Sequence, residues 1–263
     1  MTRGLITLTT DFGQADPYVG IMKGVIFTIN PGAAVIDLSH NVPPQDVFCG
    51  ALILNSAVQY FPQGAIHVGV VDPGVGSNRR PLLIEAEGCF YVGPDNGVLS
   101  LALREKKITR IINLNNQNYF LKPTSQTFHG RDIFAPVAAY LSRGTPAEDF
   151  GSKSDHFETL AWPHVALNDG FLEGEIIHID RFGNLVTNIR AEDLQPFATA
   201  GLTISFKEYK LHGLERNYAS GAEKALIALV DSWGVMEIAQ FRGSAQAFSG
   251  AARGDKVLVH RIA

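Results

Sequence analysis

The chain is poor in charge, in cysteine and in long apolar runs, and each scarcity excludes something. Charged residues make up 18% of its 263 residues, against about 25% in a typical soluble domain. Hydrophobic residues make up 46%, so a disordered chain, which shows the reverse balance, is excluded. Few charges also leave little to solvate a monomer's surface, a hint of buried subunit interfaces. There is no basic excess: 22 Lys+Arg stand against 26 Asp+Glu, a formal charge of −4. General nucleic-acid binding needs a positive field that this balance does not supply. Cys49 and Cys89 are too few for a disulfide framework, and their apolar neighbours suit buried thiols in a reducing compartment. No apolar run approaches the ~18 residues of a membrane span. The N-terminal segment meets a carboxylate at Asp11, too early for a signal peptide's apolar region. The expectation is a cytoplasmic protein with no nucleic-acid or membrane partner.

What is present is an alternation of strands and helices. Apolar runs at 5–10, 34–38, 66–71 and 109–114 read as strands, and 81–86 with 89–92 as a strand pair. Helical spacing falls at 17–29, 46–60, 97–104 and 132–142, with Pro136 in the first turn of the last, where proline is tolerated. Strands that are apolar throughout and alternate with helices indicate an α/β domain, with flanking helices over a mostly parallel sheet. After Gly144 the texture changes to Gly, Pro, Ser, Asp and His. Short β-type runs follow at 172–179, 185–189, 202–206, 225–229, 236–239 and 256–262, separated by turns. That pattern predicts a smaller antiparallel β-barrel. The expected layout is an N-terminal domain over 1–150, a linker over 151–169 and a C-terminal domain over 170–263.

Candidate chemistry gathers at strand ends and turns. Asp11 and Asp72 follow the first strand and the strand at 66–71, and ligands of open α/β sheets bind beyond the carboxyl ends of strands. An Asp there is also an ordinary turn former. The run Val71-Asp72-Pro73-Gly74-Val75-Gly76-Ser77-Asn78-Arg79-Arg80 makes a tight turn that can bring backbone to a ligand. It lacks the Gly-Lys-Ser/Thr of a phosphate loop. Thr127-Phe128-His129-Gly130-Arg131-Asp132 sets His129 near a helix N-terminus, where the dipole disfavours imidazolium. A neutral His can accept a proton or orient water; a His-Gly turn capped by Asp132 is the plainer reading. The other seven histidines show no metal-ligand spacing. Asp180, Phe182 and Asn184 surround one turn, offering a cation acceptor, a stacking face and an amide, or simply a hairpin.

Six motifs in order carry a resemblance over essentially the whole chain. They are Thr9-Thr10-Asp11-Phe12-Gly13, Val71-Asp72-Pro73-Gly74-Val75-Gly76, Pro94-Asp95-Asn96-Gly97, Thr127 to Asp132, Phe182-Gly183-Asn184-Leu185-Val186-Thr187-Asn188 and Asp231-Ser232-Trp233-Gly234. Together they resemble the S-adenosyl-L-methionine hydroxide adenosyltransferase family, relatives of the fluorinase and chlorinase. The resemblance implies an α/β domain, a C-terminal barrel and a homotrimer with active sites between one subunit's first domain and the next subunit's second. It implies hydrolysis of S-adenosyl-L-methionine to adenosine and L-methionine, with no cofactor and no metal.

By the same resemblance, Asp72, Arg79 and His129 form the family's water-handling triad. The halogenases carry other residues there, so the triad points to water rather than halide. Asp11 matches the ribose-diol acceptor, Asp16 and Asp180 the acceptors of the methionine ammonium, and Ser232 the methionine-binding serine. Phe182 and Asn184 match adenine-side residues, Tyr218 the aromatic that stacks the base, and Phe128 belongs to the substrate-binding set. Trp233 stands where the halogenases place an Arg, and Arg242-Gly243-Ser244-Ala245 where relatives often have Gly-Asn-Ala. Two other readings share these motifs: a trimer that binds the same ligand with negligible turnover, and a halide-dependent enzyme. A calcium-dependent nucleoside hydrolase lacks support, because its aspartate-rich N-terminal pattern is missing.

Overall fold

In the computed structural model, which describes residues 4–168, 170–197 and 201–261, the chain divides into two units after Leu160. The first runs β1 (Leu5–Thr10), α1 (Tyr18–Ile29), β2 (Ala34–Ser39), α2 (Val47–Val58), β3 (Ile66–Val70), β4 (Pro81–Ala86), β5 (Cys89–Pro94), α3 (Ser100–Leu103), β6 (Ile108–Leu114), α4 (Ala135–Ser142) and β7 (Gly151–Ser154). Its sheet has the order β2-β1-β3-β5-β4-β6-β7. The α/β class is as expected, and the sheet is mixed. Pairs β2-β1, β1-β3 and β3-β5 are parallel, and β5-β4, β4-β6 and β6-β7 are antiparallel. The reason is local. β1, β2 and β3 are separated by helices long enough for a crossover. β4 and β5 are joined by Glu87 and Gly88, both at positive φ, the two-residue turn that matches hairpin twist.

Strand side chains alternate between faces, and both faces are covered. Ile6, Leu8, Val68 and Leu83 pack with Met22 and Ile26 of α1 and Val137 and Leu141 of α4. Leu82, Ile84 and Tyr91 pack on the other side with Leu54 and Val58 of α2 and Ala102 and Leu103 of α3. The helix expected from 132 starts instead as a π-helical turn at Gly130–Phe134 and continues as α4, with Pro136 in its first turn.

The second unit contains β8 (Ala166–Asn168), β9 (Phe171–Ile179), β10 (Leu185–Arg190), β11 (Leu202–Phe206), β12 (Tyr209–His212), β13 (Leu226–Val230), β14 (Val235–Gln240), the short α5 (Ala245–Ser249) and β15 (Lys256–Arg261). The order β12-β11-β15-β9-β10-β14-β13, with β8 added beside β9, is antiparallel throughout. End strands β12 and β13 approach one another, so the sheet is nearly closed, as a barrel is. Ile176, Leu185, Ile204, Met236, Ile238, Val257 and Val259 fill it.

Two details differ from the sequence reading, and one lies beyond comparison. The expected linker supplies a strand to each sheet, β7 against β6 and β8 against β9. Polar, weakly patterned edge strands such as Gly151-Ser-Lys-Ser carry no apolar signal. β12 and α5 also went unread, each being four or five residues long. The expected end of the last strand, Ile262, lies outside the described residues.

Candidate active site

Three motifs of the first unit meet at one pocket of about 840 Å³. Asp11 arrives at the end of β1, Asp72 just after β3, and Phe128 and His129 at the start of the π-helical turn; all four line it. Parallel β1 and β3 are neighbours, which sets their carboxyl ends side by side. The turn after Asp72 presses against the segment that carries His129. Gly76 sits at φ +79°, and a Cβ there would lie 2.3 Å from the Gln126 carbonyl oxygen, so only glycine fits this approach.

Arg79 joins the other two members of the triad. Its Nε donates to Asp72 Oδ1 at 3.0 Å and its Nη2 to Asp72 Oδ2 at 2.5 Å, the bidentate fork. Nη2 also lies 2.6 Å from His129 Nδ1. A guanidinium has no acceptor, so Nδ1 accepts and the neutral ring carries its proton on Nε2. Burial and the Arg79 charge hold His129 below the ordinary histidine value of 6.5, against the pull of Asp72, Asp132 and the Ser125 carbonyl. A position near a helix N-terminus disfavours the imidazolium in the same direction. Arg79 is stacked over the Phe134 ring at 5.5 Å, and its side chain is 9% exposed. Its Nη1 is buried without a hydrogen-bond partner among the described residues.

The pocket wall is aromatic. Phe12, Tyr18 and Phe128 pack edge to face, with centroids 5.3–5.9 Å apart. Asp11 Oδ2 accepts the backbone N–H of Gln45 at 2.8 Å, and Gln45 lines the same pocket. Asp132 does not cap the turn. It is fully buried, accepts the Ser125 backbone N–H at 2.7 Å and is forked by Arg131. Burial raises its pKa, but those bonds from Arg131 and Ser125 outweigh it and hold the carboxyl below its ordinary value. Asp16 stands apart: it is exposed in the bend before α1 and is not among the residues lining the pocket.

In the second unit, the turn between β9 and β10 is organised by Asp180. Its Oδ1 accepts the N–H groups of Phe182 and Asn184, and its Oδ2 accepts from Asn184 Nδ2, at 2.8–2.9 Å. Asp180 thus spends both carboxylate oxygens within its own turn, as the hairpin reading expects. Phe182 is left 75% exposed at the tip, while Asn184 is buried. Tyr218 donates its phenol to Glu237 Oε1 at 2.9 Å, and its ring is half exposed. Ser232 is exposed in the turn between β13 and β14. Trp233, beside it, stacks obliquely on His178 with centroids 5.9 Å apart.

Sequence reasoning missed Glu237. It is 3% exposed on β14, and burial, Asp231 and Asp180 push its pKa up to about 7, against the Tyr218 hydrogen bond. Asp231 is likewise raised, by burial first and by Asp180, against N–H bonds from Val235, Trp233 and Gly234. A lone Glu inside the apolar run Val235-Met236-Glu237-Ile238-Ala239 was the available signal. Phe12, Thr127 and Arg131 were also unassigned, although each sits inside a quoted motif. Gln45 carries no such mark; its place follows from a left-handed backbone at φ 66°.

Comparison with known proteins agrees with this layout. The pattern of the SAM hydroxide adenosyltransferase N-terminal domain matches residues 6–151, and that of the C-terminal domain matches residues 174–258. The (R)-S-adenosyl-L-methionine hydrolase of Thermus thermophilus is 39% identical over 253 residues, 93% of this chain and 95% of the relative. The protein of the same name from Methanocaldococcus jannaschii is 36% identical over 263 residues, covering 92% and 90%. A crystal structure of an uncharacterized conserved protein from Thermotoga maritima superposes with a TM-score of 0.91 at 34% identity, covering 98% of this chain and 100% of that one.

Proposed function

The chain belongs to the SAM hydroxide adenosyltransferase family, and we propose that it hydrolyses S-adenosyl-L-methionine to adenosine and L-methionine through attack of water on C5′. The observation that carries the reading is the Asp72–Arg79–His129 cluster at the pocket. The substrate's sulfonium gives a neutral leaving group, methionine, so no acid is needed. What the reaction lacks is a nucleophile, because free water has a pKa of about 15.7.

The hydrogen bonds divide the labour. His129 spends Nδ1 on Arg79, so that nitrogen holds the guanidinium and does not take the proton. Asp72 is then the group that accepts water's proton, directly or as the bond to carbon forms. Arg79 fixes Asp72 in place through its two-point contact, and its charge beside Asp72 stabilises hydroxide character. A cation and an incipient anion partly cancel in the transition state, so a pre-oriented, water-poor site favours it. Asp11 is the acceptor for the ribose hydroxyls, and Phe128 with Phe12 supplies apolar wall. Asp180, Phe182, Asn184, Tyr218 and Ser232 bind the adenine and methionine ends, contributed by the second unit of a neighbouring subunit in a homotrimer. Asp16, exposed as it is, fits a contact completed in that assembly. The low charged fraction supports such buried interfaces, as do Tyr18, Ile21 and Phe27 of α1, each more than a third exposed. No cofactor takes part.

The test is incubation of the purified protein with S-adenosyl-L-methionine and chromatographic separation of the products, with and without fluoride or chloride. Adenosine and methionine in equal amounts, independent of halide, support the reading. A 5′-halogenated nucleoside, or tight binding with no product in excess enzyme, overturns it in favour of a halogenase or a sequestering protein.

A further inference from the structure

One sequence motif has no part in the site as described: Pro94-Asp95-Asn96-Gly97, at the end of β5. Both ends of the triad-bearing loop are tied to it. At the loop's start, Asn96 Nδ2 donates to the Val71 carbonyl at 2.8 Å, one residue before Asp72. At its end, the Asp95 backbone N–H donates to the Arg80 carbonyl at 2.8 Å, one residue after Arg79. The Arg80 side chain returns the contact, donating through Nε and Nη2 to Asp95 Oδ2 at 2.8 and 2.5 Å.

The tie is itself braced. Asp95 is 5% exposed at its side chain, and its other oxygen accepts the Glu158 backbone N–H at 2.7 Å. Arg80 reaches Ser154 Oγ and the His156 carbonyl at 2.8 and 3.0 Å. Asn96 Oδ1 accepts the Val98 N–H at 3.1 Å, closing the turn into the α3 region. Gly97 lies at φ +94°, and a Cβ there would meet Leu160 at 2.7 Å. Asp72 and Arg79 therefore stand on a short loop whose two feet are held by one tetrapeptide, and that tetrapeptide is anchored to the strand and segment that follow the domain's last helix.

We propose that Asp95, Asn96 and Arg80 are positioning residues that hold the residue 71–80 loop so that Asp72 and Arg79 keep their register toward His129. The proposal rests on the hydrolytic reading and adds the device that sets its geometry. None of the three need touch the substrate. Bidentate contacts at 2.5–3.0 Å are lost with small displacements, and a misplacement of about 1 Å costs on the order of 10²-fold in rate.

The experiment compares the full-length wild type with Asn96→Asp and Arg80→Lys. Asn96→Asp keeps the acceptor for Val98 and sets an oxygen against the Val71 carbonyl. Arg80→Lys keeps the charge beside Asp95 and loses the fork. For each, kcat, KM, the pH profile of kcat and the thermal midpoint are measured with S-adenosyl-L-methionine. The expected result is a kcat lowered by about tenfold to a hundredfold, a KM within about twofold of wild type, and a displaced acidic limb of kcat. Asn96→Gln, which restores the donor, recovers part of the rate. Unchanged kcat in both variants, or losses of kcat that track the thermal midpoint with an unmoved pH profile, overturns the proposal. Wild type without turnover overturns the hydrolytic reading instead, so the two failures are separate. If Asn96→Asp does not fold, Arg80→Lys carries the same test.

Discussion

In the first unit Asp72 and Asp132 each meet a guanidinium in a two-point fork, from Arg79 and Arg131. In the second unit Asp180, Asp231 and Glu237 act on one another, and the groups that act on Glu237 are Tyr218, Asp231 and Asp180, none of them cationic. Burial penalises charge in both places. At Asp132 the bonds from Arg131 and Ser125 hold the carboxyl down against burial; at Glu237 burial first, then Asp231 and Asp180, push the pKa up to about 7. The two settings suit different tasks. A forked carboxylate with fixed orientation can position water and take a proton. A set of mutually repelling carboxyls is eased by a positive ligand, and the proposed substrate carries an ammonium and a sulfonium.

Breaking the forked side should cost most. Asp72→Ala and Arg79→Ala are expected to lower kcat by about 10²–10⁴-fold while S-adenosyl-L-methionine still binds, as calorimetric titration will read. Glu237→Gln, on the other side of the comparison, should raise KM more than it lowers kcat. Near-wild-type turnover in both triad variants would remove the chemistry from the first unit.

Gly76→Ala comes next. Its strained φ and its collision with the Gln126 carbonyl must push the Asp72 loop away from His129. A fall in kcat of about tenfold to a hundredfold, with substrate affinity retained, is the expected reading of a steady-state assay.

A pH profile sharpens the comparison further. His129 is depressed below 6.5, so the ring stays neutral until the pH falls below that value. Protonation would set an N–H at Nδ1 against the Arg79 donor and open the cluster. The acidic limb of kcat/KM should therefore have its midpoint below 6.5, and His129→Asn should abolish that limb. A midpoint above 6.5 would contradict the assignment.

The smallest effect concerns stability. Glu237 binds its proton more tightly folded than unfolded, with a pKa of about 7 against an ordinary 4.5. Its contribution is complete below 4.5 and is lost as the pH rises through 7. Denaturant titrations across that window should show wild type losing stability that Glu237→Gln keeps. Parallel curves for the two proteins would show that Glu237 is not perturbed by its neighbours.

Much of this was legible in the residues. Apolar strands ending in Asp11 and Asp72, with a Gly-rich turn after the second, located the pocket because parallel neighbours put their carboxyl ends together. His129 was legible because a His-Gly pair opened a helix. The mixed sheet was less so: antiparallel pairing depends on where β4 returns, and the strand-pair signal gave the hairpin without its neighbours. Edge strands β7 and β8 were illegible, β7 being polar and β8 only three residues long. Arg79 could be placed in the cluster by resemblance, but its two-sided grip on Asp72 and His129 needs distances. Glu237 and Gln45 depend on contacts far apart in sequence, which periodicity does not register.

If water held by Asp72 and Arg79 attacks C5′, oxygen-18 from the solvent must end on that carbon. Turnover of S-adenosyl-L-methionine in labelled water, followed by mass spectrometry, should place one labelled oxygen at the 5′ position of adenosine and none in methionine. Adenosine carrying no label, or a 5′-halogenated product in its place, would contradict the account.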